Sequence, residues 1–153
     1  MTSPIRELIK ELGRALGLEE LLSDAEDLAL LHFEDAPAIS LSVLDDECVA
    51  LAASIGTMPE GRPDVLEELL ASNLLWRDTD GATLSMERYT REVFLARQMS
   101  AQALDGSAAL TRALETFIDE ARQWTDVFAT LITTDPPGDA AASIRPDFPG
   151  QRI

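Results

Sequence analysis

Between Leu110 and Leu131, eight apolar side chains fall on one helical stripe: Leu110, Leu114, Phe117, Ile118, Ala121, Trp124, Phe128 and Leu131. Their spacing, sustained over about six turns, predicts one long amphipathic helix. A helix of this kind draws most of its stability from tertiary packing, so its stripe must lie on another apolar surface. The alternation elsewhere in the chain says that this surface is a sheet. In 38–44, Ile39, Leu41 and Val43 share one face of a strand while Ser40 and Ser42 take the other. The runs 28–33 and 48–55 read as flanking strands, separated from it by Glu34-Asp35-Ala36-Pro37 and by Asp45-Asp46. Two hairpins in succession predict an antiparallel meander.

The remaining elements follow the same logic. Ile5, Leu8, Ile9, Leu12 and Leu16 recur at helical spacing, with Ser3 as the expected cap, Pro4 in the first turn and Gly17 at the end. Residues 18–27 read as a linker and 56–63 as a Gly/Pro loop. Asp64 and Glu67 have capping-box spacing ahead of a helix over 64–73, whose stripe is Val65, Leu66, Leu69, Leu70 and Leu74. Asp78-Thr79-Asp80-Gly81 is a turn, and 82–86 and 91–98 read as two further strands. The order is α-β-β-β-α-β-β-α, an α+β fold with helices packed on a twisted antiparallel sheet. The Pro/Ala/Gly-rich composition after Thr134 predicts a domain over 1–133 and a mobile tail over 134–153.

Charge narrows the function. Acids outnumber bases 28 to 12, giving −16 at pH 7 over 153 residues. Residues 19–75 alone carry 14 acids and a single base, Arg62. Such a surface repels phosphate, which disfavours nucleic acid and anionic membrane as partners. Cys48 is the only cysteine, so no intramolecular disulfide forms. The charged amphipathic N-terminus is unlike a signal peptide, and no apolar run approaches the length of a membrane span, so a cytoplasmic setting is expected.

A search for chemistry returns little. His32 is the only histidine and falls in an expected strand with no nucleophile motif beside it. Without a His/Cys cluster there is no expected site for a transition metal. Cys48 lacks a CxxC partner or basic flank and reads as a buried, inert thiol. A calcium loop starting at Asp78 fails, because its twelfth position is Tyr89 and its glycine comes too early. Gly56 and Gly61 lack the Lys-Ser/Thr partner of a phosphate loop. The expectation is no enzyme, no cofactor and no metal.

Surface is what remains. The second helix carries Leu66, Leu69, Leu70 and Leu74, then Trp76, beside the small residues Ala71 and Ser72. So broad an apolar face on a short helix points to a self-interface. The first helix and first strands place apolar side chains beside a free strand edge, which can accept an extended peptide. A second reading is an acidic decoy that mimics nucleic acid and blocks a DNA-binding protein. A third is a small enzyme using acids and a divalent metal.

The chain resembles the class I type III secretion chaperones, the CesT/Tir-chaperone family, from Ile5 to about Ile132. The segments that carry the resemblance are 8–18, Ile39-Ser40-Leu41-Ser42, Glu68-Leu69-Leu70-Ala71-Ser72-Asn73-Leu74, Gly81-Ala82-Thr83-Leu84 and the closing helix over 117–124. One departure is Met99-Ser100, where the family often has Leu-Pro. The resemblance implies a bacterial cytoplasmic homodimer, without ATPase activity of its own, that binds the N-terminal segment of a secreted effector in extended form. It keeps that effector soluble and export-competent, and the secretion ATPase or export apparatus is a further implied partner. By residue, it implies a dimer contact from Leu66, Leu69, Leu70, Asn73, Leu74 and Trp76. It implies an effector groove from Ile5, Leu8, Leu12, Leu30, His32, Ile39 and Leu41.

Overall fold

Among the described residues, three helices and five strands form in the order foreseen. The computed structural model describes residues 3–23 and 25–137. Helix α1 spans Pro4–Ala15, strands β1, β2 and β3 span Leu28–Leu31, Ile39–Val43 and Cys48–Thr57, and α2 spans Pro63–Ser72. A 3-10 turn, Leu74–Trp76, leads to β4 (Thr83–Met86), β5 (Glu92–Ser100) and α3 (Ser107–Thr133). Most of the tail expected over 134–153 lies outside the described residues.

The sheet is antiparallel with spatial order β1-β2-β3-β5-β4, so β1 and β4 are its edges. Leu31, Ile39, Ala53, Leu95 and Leu84 are paired in one row across the five strands, and all are buried. On this face lie α1 and α3, whose own stripes (Ile5, Ile9 and Leu12; Leu110 through Phe128) complete a single core. The next row, Leu30, Ser40, Ala52, Ala96 and Thr83, faces the other way, and none of it is buried. The alternation in 38–44 therefore resolves with isoleucine and leucine inward and serine outward.

Capping departs from expectation at both helix starts. Ser3 precedes α1, but its Oγ donates to the Asp46 carbonyl at 2.7 Å, and the Ile5 N–H donates to the same oxygen at 3.3 Å. The β2–β3 turn thus replaces a local cap. At α2 no capping box forms; Arg62 is the N-cap residue and Pro63 starts the helix. Arg62 Nε and Nη2 grip both oxygens of Asp64 at 3.0 and 2.9 Å. Its Nη1 and Nη2 also donate to the carbonyls of Ile132 and Leu131 at 3.1 and 3.0 Å. The lone base of the acidic middle segment thus ties the start of α2 to the end of α3, where a cation also suits the helix dipole. At the end of α1, Gly17 (φ +74) closes the helix as expected, with N–H bonds from Gly17 to Arg14 and from Leu18 to Gly13.

The Arg62 guanidinium holds the Asp64 carboxyl below its ordinary range, chiefly through their hydrogen bonds. A depressed carboxylate stabilises the fold above its unfolded pKa and loses that contribution as pH falls through the folded value. Arg62→Met is therefore expected to lower the unfolding midpoint at pH 7, with a difference from wild type that shrinks as pH drops below about 4. Urea titrations across that range measure it. A difference that persists undiminished in acid would place the effect in lost packing and in the bonds to the Ile132 and Leu131 carbonyls, and not in the Asp64 pair.

Candidate functional site

Among the described residues, two groups of exposed apolar side chains stand out once the core is complete. The first belongs to α2 and the turn after it. Helix α2 turns Val65, Leu69 and Ser72 inward. Leu66 packs half-buried against the core, and Leu70 is 70% exposed. Leu74, Leu75 and Trp76 follow at 48%, 64% and 54% exposure. Leu75 (φ 55) and Trp76 (φ 53) both adopt the left-handed conformation. For residues with a Cβ that conformation costs about 1–2 kcal/mol each. Asn73 turns back to the sheet edge: its Oδ1 accepts from the Leu84 N–H at 2.8 Å, and its Nδ2 donates to the Leu84 carbonyl at 3.0 Å.

Of the six residues placed at a self-interface by sequence, Leu70, Leu74 and Trp76 are exposed. Leu69 is a core residue, because it continues the inward stripe of Val65. Asn73 spends its amide on β4. Leu75, not among those six, is exposed as well, since no helical period can turn all of 74–76 inward.

The second surface is the β1 edge. Among the described residues β1 pairs only with β2. Leu28 and Leu30 project outward, 56% and 63% exposed, while Leu31 is buried in the core. Both ends of the strand are tied down. Arg6 of α1 donates to the Glu26 carbonyl at 3.0 Å and pairs with the Asp27 carboxylate. Arg122 of α3 donates to the carbonyls of Glu34 and Asp35 at 2.8 and 3.3 Å. The edge is therefore presented at a fixed place, flanked by Glu26, Asp27, Glu34 and Asp35, whose charge opposes pairing with a second acidic copy.

The groove residues named from sequence divide sharply. Ile5, Leu12, Ile39 and Leu41 are 0% exposed and cannot meet a partner. The reason is geometric: α1 has one apolar stripe, which α3 and the sheet consume, and the β2 apolar face is the inner one. Leu8 is half-buried against the core, whereas Leu30 and His32 are exposed. His32 lies just beyond β1 and not inside it, and Cys48 is half-buried. Among the described residues, no group of three or more His, Cys, Asp or Glu is placed to hold a metal, and no helix is long and apolar enough to cross a membrane.

The molecule is thus an α+β sheet with α1 and α3 on one face, an acidic composition and a free edge. Residues 7–125 match the model of the Tir chaperone protein (CesT) family. The chain belongs to this family. No curated protein matches it in sequence. Among solved structures of the same fold, a chain of the ExsC–ExsE complex superposes with a TM-score of 0.68 at 24% identity, covering 84% of this chain and 96% of that one. A chain of the heterodimeric ExoU–SpcU complex of the type III secretion system of Pseudomonas aeruginosa gives 0.64 at 20%, covering 80% and 96%. A chain of the complex between the Yersinia pestis type III secretion chaperone SycH and a stable fragment of YscM2 gives 0.60 at 16%, covering 81% and 99%. The CesT family match spans α1 to most of α3, so both exposed surfaces lie within it.

Proposed function

We propose that the chain is a type III secretion chaperone that takes the N-terminal segment of an effector in extended form along β1, and that it works as a homodimer through the surface from Leu70 to Trp76. The observation that carries the client site is the β1 edge, unpaired, clamped at both ends and lined by Leu28 and Leu30. An extended peptide laid there pairs its backbone with β1, and its apolar side chains meet the two leucines. Main-chain pairing demands little of the client sequence, and side-chain contacts set its register. Removing apolar area from water gains roughly 25 cal/mol per Å². Ordering the segment offsets about 2–5 kcal/mol of that, so the contact must be long. The acidic surface keeps the complex soluble and draws in basic or mixed-charge segments. The decoy reading has no support in the family match or the fold.

Leu30→Asp tests the client site without disturbing the core, because the side chain is 63% exposed. It removes about 1.5–3 kcal/mol of apolar contact, so binding of an effector's N-terminal segment, measured by calorimetry, is expected to weaken about 10–100-fold. Unaltered affinity in a folded Leu30→Asp protein would move the client away from β1. Leu8→Asp is the poorer probe, since Leu8 also packs on the core.

A further inference from the structure

Among the described residues, five arginines are half-buried: Arg6, Arg62, Arg91, Arg97 and Arg122. Four are tied to carbonyls or carboxylates; Arg91, for example, donates to the carbonyls of Met58 and Pro59 at 3.2 and 3.3 Å. Arg97 is the exception. Among the described residues it has no hydrogen bond and no ion pair, in a chain that carries 28 acids. Its position makes this costly. The register aligns Arg97 with Leu51 and Leu41 on the core side of the sheet, and both leucines are 0% exposed. A guanidinium stays charged under all ordinary conditions and must be solvated or paired.

Arg97 opens into a cleft of about 660 Å³ between the end of β5 and the first turns of α3. The helix contributes Ala109, Arg112, Ala113 and Thr116, which share one face by their spacing. Met99 and Leu104 supply further apolar wall. Arg112 is also without a hydrogen bond or ion pair among the described residues. Asp80, Gln98, Ser100 and Thr116 make the rest of the lining polar, so two uncommitted guanidinium groups meet one space of mixed character.

We propose that this cleft binds a carboxylate group carried on a small apolar body, either an acidic side chain of a polypeptide or a small organic acid. Guanidinium recognises carboxylate by paired, charge-assisted hydrogen bonds. Phosphate shares that geometry, but a net charge of −16 penalises a doubly charged ligand about twice as heavily as a singly charged one. Asp80, which also lines the cleft, adds to that discrimination. Met99, Leu104 and the alanines, the apolar part of the lining, give the carbon skeleton of an organic acid a contact that a bare inorganic ion cannot use. The site is separate from the β1 edge and stands whether or not the client reading does.

Amide spectra of the full-length protein test it with four probes: the capped peptide acetyl-Ala-Leu-Glu-Ala-amide, its Gln counterpart, butyrate and inorganic phosphate. Saturable shifts at Ser100, Ala103 and Arg112 are expected with the Glu peptide or with butyrate, and whichever binds more tightly identifies the source. Arg112→Gln, at an exposed position, and Arg97→Gln should each weaken that binding about 10-fold, the loss of one charge-assisted contact. The proposal is overturned by any of four results: no saturable shift at millimolar carboxylate, equal binding of the Gln peptide, tighter binding of phosphate, or unchanged affinity in a folded Arg112→Gln protein.

Discussion

Gly56→Ala is expected to destabilise the fold by about 2–5 kcal/mol, the sum of an overpacking cost and a backbone cost. Gly56 sits at the irregularity in the β3–β5 ladder with φ +144, a region that L side chains rarely adopt. A Cβ there would lie 2.6 Å from Phe128 Cε1 and 2.7 Å from Cδ1. Phe128 is 1% exposed on α3, so its ring has no open side to move into. The close approach of strand to helix is what Gly56 permits, and it fixes how α3 seats on the sheet. Against a typical total of 5–15 kcal/mol, such a loss is large. Urea denaturation measures it, and a double-mutant cycle locates it. Phe128→Ala alone is expected to cost about 3–5 kcal/mol. In that background the clash is gone, so Gly56→Ala should cost only its backbone share, about 1–3 kcal/mol less than in the wild type. Losses that add within about 0.5 kcal/mol would place the whole effect in the backbone and remove Phe128 from the account.

The same glycine marks where sequence reading stops. Residues 56–63 read as a Gly/Pro loop, yet β3 runs on through Gly56 to Thr57. A glycine inside a strand and a glycine opening a loop look alike until the partner that needs its missing Cβ is known. Periodicity located every helix and strand, because local spacing alone carries it. Period-2 alternation says which residues share a face but not which face is inward. That is why Ile39 and Leu41 were placed in a client groove when they belong to the core. Capping failed for a related reason: Ser3 and Asp64 have the right local chemistry, but Asp46 and Arg62, distant or unanticipated, outcompete it. The β1 edge was only half legible. A meander predicts β1 at one side, but the order β1-β2-β3-β5-β4 requires β5 to insert between β3 and β4, which no local signal announces.

Leu70→Asp is expected to convert the proposed homodimer into a folded monomer. The surface it interrupts has two features that a single copy leaves unexplained. Leu70, Leu74, Leu75 and Trp76 are between 48% and 70% exposed and fall within seven consecutive residues, 70–76. Leu75 and Trp76 are also held in the left-handed conformation, a strained backbone whose side chains stay more than half exposed. A second copy would cover the apolar area and compensate the turn together. An isologous contact repeats each residue on both partners, so one substitution acts twice. Losing a buried leucine removes about 1.5–3 kcal/mol per copy, and an unpaired carboxylate in its place adds to that. The dissociation constant should rise at least about 10³-fold. Sedimentation or light scattering reads the mass. Thermal unfolding gives an independent measure, since the wild-type midpoint should climb with protein concentration and that of the variant should not. Leu69→Asp is the contrasting control: at 6% exposure Leu69 belongs to the core, so that variant should lose the fold rather than the partner. A Leu70→Asp protein that stays folded, soluble and dimeric at unchanged mass would separate self-association from this surface, and leave the strained Leu75–Trp76 turn without a purpose.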